Sequence, residues 1–524
     1  MTQLQAPART LGELDEDDRY RAFDDLQLSM GHAWDSIQKN LEDESVVVVP
    51  SISIERTTAS TGTVIQAMEE RALFLLLLLR QPRLQMIYVT SQPISEAIIE
   101  YYLGLLPGVI PSHARARLTL VPVGDASATS LSAKLLARPR LLREIRSLIP
   151  DPERCHLIPY NTTPLERDVA ISLGIPMYGA DPRLVDLGSK TGCRRMFEEC
   201  GVVYPVGAED LHSVDDIVAA VQGMRRRRPS ITLAIVKINE GVSGSGNASL
   251  DLNGLPEPGA PDEATVIAER LRSLVPESEK LSVDAFLTAF EKDGGIVEER
   301  ITGVSLESPS VQMRALPDGT VELLSTHDQL LGGASGQKYL GCVFPADQGY
   351  AAAIAEPAMV VGRHLAQRGV LGRFAVDFVT VKDETGAWTP YAIELNLRKG
   401  GTTHPFLTLQ FLCGGSYDGQ RGVFVTPEGN AKYLVATDHL EDDRLKVLTV
   451  EDLFDVVVQN GVHFDQSRRT GVVFHMISCL TECGRIGMTA VGDSPEEAWR
   501  LYQEAEAILL READLALQEE AVVH

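Results

Sequence analysis

Residues 234–247 read Ala-Ile-Val-Lys-Ile-Asn-Glu-Gly-Val-Ser-Gly-Ser-Gly-Asn, and the order of their parts separates one nucleotide-binding architecture from another. An apolar run presents Lys237 on a strand. Gly241, Gly244 and Gly246 follow, with Ser243 and Ser245 between them. Small residues let backbone N–H groups approach a polyphosphate, and a lysine adds charge against the same oxygens. In a Walker A loop the glycines come before the lysine; here the lysine comes first, which excludes a P-loop and suits a flap closing over ATP. The competing account is a flexible hairpin turn with a surface lysine.

Further along, Phe374-Ala375-Val376-Asp377 and Ile393-Glu394-Leu395-Asn396-Leu397-Arg398 read as neighbouring strands. Period-2 alternation puts Glu394 and Asn396 on one side of their strand, and Asp377 is expected to join them. Two carboxylates and an amide carbonyl suit the hard-oxygen demand of one or two magnesium ions, and acids buried among Phe, Val, Ile and Leu without a cation would be costly. The bland alternative is an edge strand with a wet polar face. Arg398 falls two residues beyond Asn396, again on that face, where a planar guanidinium could hold a developing acyl phosphate bidentately. A surface salt bridge is the plainer role for it. Lys399-Gly400-Gly401-Thr402-Thr403-His404-Pro405 follows, and His404 reads equally as a structural histidine or as a substrate contact. Between these stretches, Gly295 to Ile301 (GIVEERI) is an apolar strand delivering Glu298 and Glu299. A nucleotide base needs backbone groups at a strand exit and an acceptor for its exocyclic amine, which Glu298 can supply; adjacent acids at a strand end are otherwise solvated.

Working outward to the N-terminal side, Val46-Val47-Val48-Val49 is the continuous β-branched run of a strand buried on both faces. Gln85–Thr90, Leu118–Val123 and Cys155–Tyr160 repeat the pattern, with helices expected over 62–80, 94–105, 130–149 and 163–173. Residues 45–187 therefore read as an open parallel α/β domain. No GxGxxG follows the first strand, which disfavours a Rossmann dehydrogenase. Residues 1–44 read as an acidic helical arm, carrying Asp15-Glu16-Asp17-Asp18 and Asp24-Asp25. Toward the other end, a helix over 494–513 carries a capping-box signal, Ser494-Pro495-Glu496-Glu497.

The chain has 524 residues, too many for one hydrophobic core, and is 44% hydrophobic and 23% charged, as folded enzymes are. A formal net charge of −25 argues against a nucleic-acid partner, whose affinity would rest on Lys and Arg. The seven cysteines form no CxxC pair and no zinc-like spacing, so free thiols in a reducing cytoplasm are expected. The densest apolar run, Leu73 to Leu79, is seven residues and too short to span a bilayer, and no membrane partner is expected.

Taken in order, these segments resemble the ATP-grasp superfamily over roughly Gly188 to Pro405. The resemblance implies an ATP-grasp fold: the N-terminal open parallel α/β domain, an ATP-grasp domain over 188–415, and a small C-terminal α+β domain over 416–524. It implies that Lys190, in SKTGCRRMFEECGV, and Lys237 hold the ATP phosphates. It gives Gly241 to Asn247 the role of the phosphate flap. The hinge that grips adenine would be VEER at 297–300 with Ile301, so that Glu298, Glu299, Arg300 and Ile301 are nucleotide contacts. Asp377, Glu394 and Asn396 fall where that family binds Mg2+ (or Mn2+), and Arg398 where an arginine steadies the reacting phosphoryl oxygens. Within the superfamily, ELNLRKGGTTHP, STHDQLLGG (325–333) and Gly341-Cys342-Val343-Phe344-Pro345 look most like the pheganomycin-type peptide ligases. Carboxylases of the same architecture show a shorter gap between the arginine and the His-Pro pair. The implied activity is ATP-dependent ligation of a small-molecule carboxylate to an amine or peptide acceptor through an acyl phosphate, by a homodimer. A carboxylate–thiol ligase making a coenzyme A ester, and a non-catalytic ATP-binding protein, are the rival expectations.

Overall fold

The computed structural model describes residues 11–39, 43–53, 62–239, 246–278, 281–332 and 338–523, with side chains to residue 519. The valine run forms the strand Glu44–Val49, central in a four-stranded parallel sheet ordered Leu118–Pro122, Leu84–Thr90, Glu44–Val49, Cys155–Pro159. Alternate valines serve two cores. Val46 and Val48 pack with Leu73, Leu76 and Leu79, whereas Val47 and Val49 pack with Val89, Leu131 and Ile145 on the opposite face. Covering both faces makes four consecutive positions, Val46 to Val49, apolar, and each buried valine contributes roughly 1.5–3 kcal/mol.

Two expected helices are interrupted. The segment 62–80 is α-helical over Gly62–Arg71 and winds more tightly as a 3-10 helix over Ala72–Arg80, where leucines are buried on every side. The segment 130–149 breaks into Leu131–Leu136 and Pro139–Ser147, because Pro139 cannot donate to the preceding turn and takes the first position of a new helix. The helix Lys190–Glu199 stops as its sequence predicts: Gly201 takes φ +64°, and Val202 N donates back to Phe197 O at 2.9 Å. The terminal helix runs from Pro495 to Val523, longer than expected; Ser494 Oγ caps it by accepting from Glu497 N at 3.2 Å, while the other half of the box is shifted, Glu497 Oε2 accepting from Asp493 N at 2.7 Å and not from Ser494 N.

A five-stranded antiparallel sheet, ordered Gly207–Leu211, Gly295–Glu299, Leu233–Ile238, Asn247–Asp251, Val275–Pro276, carries the lysine strand beside the Glu298-Glu299 strand. A third sheet of eleven strands holds the hairpin Gly372–Lys382 and Trp388–Asn396, flanked by Pro309–Ala315, and continues through Lys338–Phe344 to Ala431–Glu441 and Arg485–Gly492. It passes across residue 415, so the segments 188–415 and 416–524 share one hydrogen-bonded sheet. Sequence reading overlooked the helix Thr403–Cys413, which lacks an amphipathic stripe because its first seven residues, Thr403 to Leu409, are all buried. No helix among the described residues is long and apolar enough to cross a membrane.

Candidate active site

Asp377 and Glu394 are direct partners in the antiparallel ladder between the strands Gly372–Lys382 and Trp388–Asn396. Asn396, two residues on, turns to the same face, and its Nδ2 donates to Asp377 Oδ2 at 3.0 Å. The two acids differ in environment. Burial, with the neighbouring charge of Glu394 adding to it, lifts Asp377 to about 6. Burial also pushes Glu394 upward, but Lys190 outweighs it and holds that carboxylate below its ordinary value. Lys190 Nζ lies 2.6 Å from Glu394 Oε1, and the same pairing raises the ammonium against the opposing effect of burial. The lysine is set there by the start of its helix, where Ser189 accepts from Gly192 N at 3.0 Å.

Lys237, read as either a phosphate ligand or a surface lysine, is 5% exposed, which rules out the surface role. Its Nζ lies 2.5 Å from Glu298 Oε1, while Arg194 Nη1 reaches Glu298 Oε2 at 3.3 Å. Glu299 takes Arg228 Nη1 at 2.6 Å and accepts from Val206 N at 3.0 Å. Both acids are thus buried and paired, not solvated, and Glu298 has each oxygen engaged within the protein. Arg300 N continues the ladder to Leu233 O at 3.0 Å, and at Ile301 the strand has ended. Gly241, Ser243, Gly244 and Ser245 lie outside the described residues; Gly246 O closes the hairpin by accepting from Ile238 N at 2.9 Å.

The charge of Arg398 favours the ionised forms of both Asp377 and Glu394, after the larger effects of burial and of Lys190. Its Nη1 makes a long contact, 3.4 Å, to Lys399 O. The loop after it is clamped to the same sheet. Gln312, two residues along its strand from Ser310, the ladder partner of Asp377, bonds through its amide to Thr402 Oγ1 and accepts from Thr403 Oγ1 at 3.2 Å.

The loop leads to a group that no local spacing could have shown. His404 Nε2 lies 3.1 Å from His475 Nε2 and 3.2 Å from Asp438 Oδ1, and His475 Nε2 is 2.7 Å from the same oxygen. Arg71 pairs with the other carboxylate oxygen of Asp438 and donates to Tyr160 Oη at 2.6 Å. Burial alone would push Asp438 up, yet Arg71 and His404 hold it well below the carboxylate range. Burial drives His404 down to about 3, so its ring is neutral at physiological pH. Arg71, Tyr160, Lys399, Gly400, Thr403 and His404 line one narrow, mostly apolar crevice. Lys399 donates to Pro159 O at 2.5 Å, and burial, reinforced by Arg373, lowers its ammonium to about 7. Sequence reading left His404 open and missed Arg71, Asp438 and His475, which the chain delivers from three distant elements.

The two carboxylates and the amide carbonyl of Asn396 form a donor set of hard oxygens with one proton too easily kept at Asp377, and a divalent cation would relieve that mutual repulsion. The residues therefore fit a magnesium or manganese ion.

A family model described as IQCH-like, ATP-grasp, matches residues 261–420, and one described as the PGM1 C-terminal domain matches residues 452–505. The chain is 28% identical over 449 residues to L-propargylglycine--L-glutamate ligase of Streptantibioticus cattleyicolor, covering 84% of this chain and 89% of that one. It is 25% identical over 446 residues to IQ motif-containing protein H of Danio rerio, covering 76% of this chain and 42% of that longer protein. Among solved structures, the ADP complex of PurK, N5-carboxyaminoimidazole ribonucleotide synthetase, superposes with a TM-score of 0.51 at 12% identity over 90% of this chain and 98% of its own. The biotin carboxylase domain of Hydrogenobacter thermophilus 2-oxoglutarate carboxylase, a dimer with MgADP, gives 0.53 at 12% identity over 88% and 89%.

Proposed function

We infer that this chain, an ATP-grasp protein by fold and by family match, is an ATP-dependent, ADP-forming ligase that joins a carboxylate to an amine through an acyl phosphate. The observation that carries the reading is the meeting of Asp377, Glu394 and Asn396 on one face, with Lys190 and Arg398 acting on the same carboxylates. The finer assignments extend it: a non-proteinogenic or small amino acid as the carboxylate, an amino acid or peptide as the acceptor, a role in specialised peptide or metabolite biosynthesis, a homodimer, and the reducing cytoplasm as the compartment.

Lys190 and Lys237 would meet the triphosphate oxygens, exchanging their present carboxylate partners for phosphate. Asp377, Glu394 and Asn396 would hold magnesium, which supplies charge neutralisation at the transferring phosphoryl group. With both oxygens of Glu298 engaged, contact with an adenine falls to the backbone from Glu299 to Ile301, and Glu298 positions Lys237. Arg398 would steady the acyl phosphate and the tetrahedral species formed from it, and the Gly241–Asn247 segment would exclude water so that the intermediate meets the amine and not hydrolysis.

The test is phosphate release from ATP and magnesium with a mixed pool of L-amino acids and short peptides, followed by mass spectrometry for a new amide. Acid- and amine-dependent release with an amide product is expected. Nucleotide binding with no turnover under any mixture would leave only a binding protein, and a coenzyme A ester as the sole product would move the chain to the thiol ligases.

A further inference from the structure

The His404, Asp438, His475 and Arg71 group lies outside the set that the ATP half of the reaction uses. Its three donor atoms converge closely enough to suggest a cation, since ions such as zinc bind imidazole and carboxylate at roughly 2.0–2.2 Å. Arg71 opposes that: its guanidinium already neutralises Asp438, and a divalent ion would add charge to a buried group in which Asp438 is the single acid among the described ligands. The arrangement of protons offers a better account. Asp438 is ionised and can only accept, and both Nε2 atoms converge on its Oδ1, His475 at 2.7 Å and His404 at 3.2 Å, so both do best as N–H donors sharing that oxygen even though the two nitrogens stand 3.1 Å apart. His404 is neutral and carries one ring proton. Placing it on Nε2 leaves a lone pair on Nδ1, and that atom, buried, has no hydrogen-bond partner among the described residues. The reverse tautomer would set a lone pair against a carboxylate and bury an N–H with no acceptor, an arrangement costing about 1–3 kcal/mol.

On the premise of the ligase reading above, we propose that His404 is the general base of the second half-reaction, held by Asp438 in the Nε2–H tautomer so that Nδ1 takes the proton from the attacking amine. The amine enters the crevice as its free base. Its lone pair forms the C–N bond to the acyl carbon, the C–O bond to phosphate breaks, and the N–H proton passes to Nδ1 and then to the departing phosphate, which leaves as the monohydrogen dianion. A weakly basic imidazole is sufficient, because the proton comes off a nitrogen made strongly acidic by the new bond. His404 lies in the first turn of the helix Thr403–Cys413, six residues after Arg398, lines the same crevice as Lys399, and follows Thr402 and Thr403, which Gln312 ties to the strand that pairs with Asp377. Asp438 and Arg71 are positioning residues, acting through the ring.

Two measurements on the full-length chain decide it. The first is 15N-histidine NMR of the unliganded protein, assigned by loss of one ring signal in His404→Gln. A neutral Nε2–H tautomer at pH 7, disturbed by Asp438→Asn, is expected; a charged ring, or the Nδ1–H tautomer that a cation at Nε2 would demand, overturns the proposal. The second splits the reaction, using an L-amino acid pool as carboxylate and either hydroxylamine or L-glutamate as nucleophile. Hydroxylamine is a much weaker base than an amino group, so the nitrogen of its adduct is more acidic and gives its proton to water without help; His404→Gln should therefore lower amide formation by roughly 100-fold or more while hydroxamate formation falls far less. Thermal melts of the variant check that it folds. Equal losses in both products, or no loss in either, overturn the proposal alone. Wild-type protein that makes no hydroxamate from any acid overturns the ligase reading and this proposal with it, whatever tautomer the ring shows.

Discussion

The segment from Glu394 to His404 joins two regions that bury charge in opposite ways. At its start, Lys190 and Lys237 each sit against a carboxylate at 2.5–2.6 Å, so that cation and anion cancel pairwise and both await exchange. At its end, a single carboxylate, Asp438, organises Arg71 and two imidazoles, and one of those rings is neutral and has an atom with no hydrogen-bond partner among the described residues. The first arrangement suits groups that must trade partners when a polyanion and a cation arrive. The second suits a group whose protonation must already be correct before the substrate comes.

The comparison is broken most severely at Glu394. Glu394→Ala removes a cation ligand and strands Lys190 in a buried site, so turnover should be lost and stability should fall toward the lower end of the roughly 3–5 kcal/mol seen when one member of a buried pair is removed. Phosphate release and a urea melt check both, and a variant that keeps full activity would discredit the site. Lys237→Ala and Arg398→Ala should also abolish turnover, with Arg398→Ala leaving the melt nearly unchanged.

Asp377→Asn should separate stability from activity. Because the folded carboxyl titrates near 6 and the unfolded one near 3.8, the folded state binds the proton more tightly between these values. This group's contribution is therefore most favourable below pH 3.8 and is lost as pH rises through 6. Without divalent ions, Asp377→Asn should melt higher than wild type at pH 7 and gain nothing at pH 3.5; magnesium should stabilise wild type and not the variant. A lower melting point for the variant at pH 7 would contradict this.

A smaller effect is expected at Glu299→Gln. Arg228 is 44% exposed, so losing its ionic partner should cost below about 1 kcal/mol, and the KM for ATP should rise more than kcat changes. Smallest of all is thiol modification. All seven cysteines are free, five of them buried, so a native thiol titration should report no more than Cys200 and Cys483, with little loss of activity.

What was legible in the sequence follows from the range of the interactions. Asp377, Glu394 and Asn396 could be placed on one face because strand alternation is a local rule and the two strands are hairpin neighbours. The valine run announced its parallel sheet because burial on both faces favours apolar side chains at consecutive positions and not at alternate ones. The pairing of Glu298 with Lys237 was not legible, since it depends on which strands become neighbours across sixty residues. Arg71, Asp438 and His475 carried no local signal at all; only the closure of the eleven-stranded sheet and the docking of the parallel sheet bring them to His404. The helix from Thr403 escaped notice because a helix buried on every side has no periodic stripe.

The five-stranded sheet that bears Lys237 pairs with neither of the other two sheets among the described strands. Its entering and leaving chains lie side by side, Glu299 N donating to Val206 O at 2.8 Å. A pivot of this sheet about that doubled stem would break no rung of its neighbours' ladders, but it would have to carry along or break the bonds from Arg194 to Glu298 and from Thr191 to Asn239, and Lys237 with Glu298 would move together. The stem at Val206 and Glu299 is accordingly the place where a pair of spectroscopic labels, one on each side, would register nucleotide arriving before any chemistry begins.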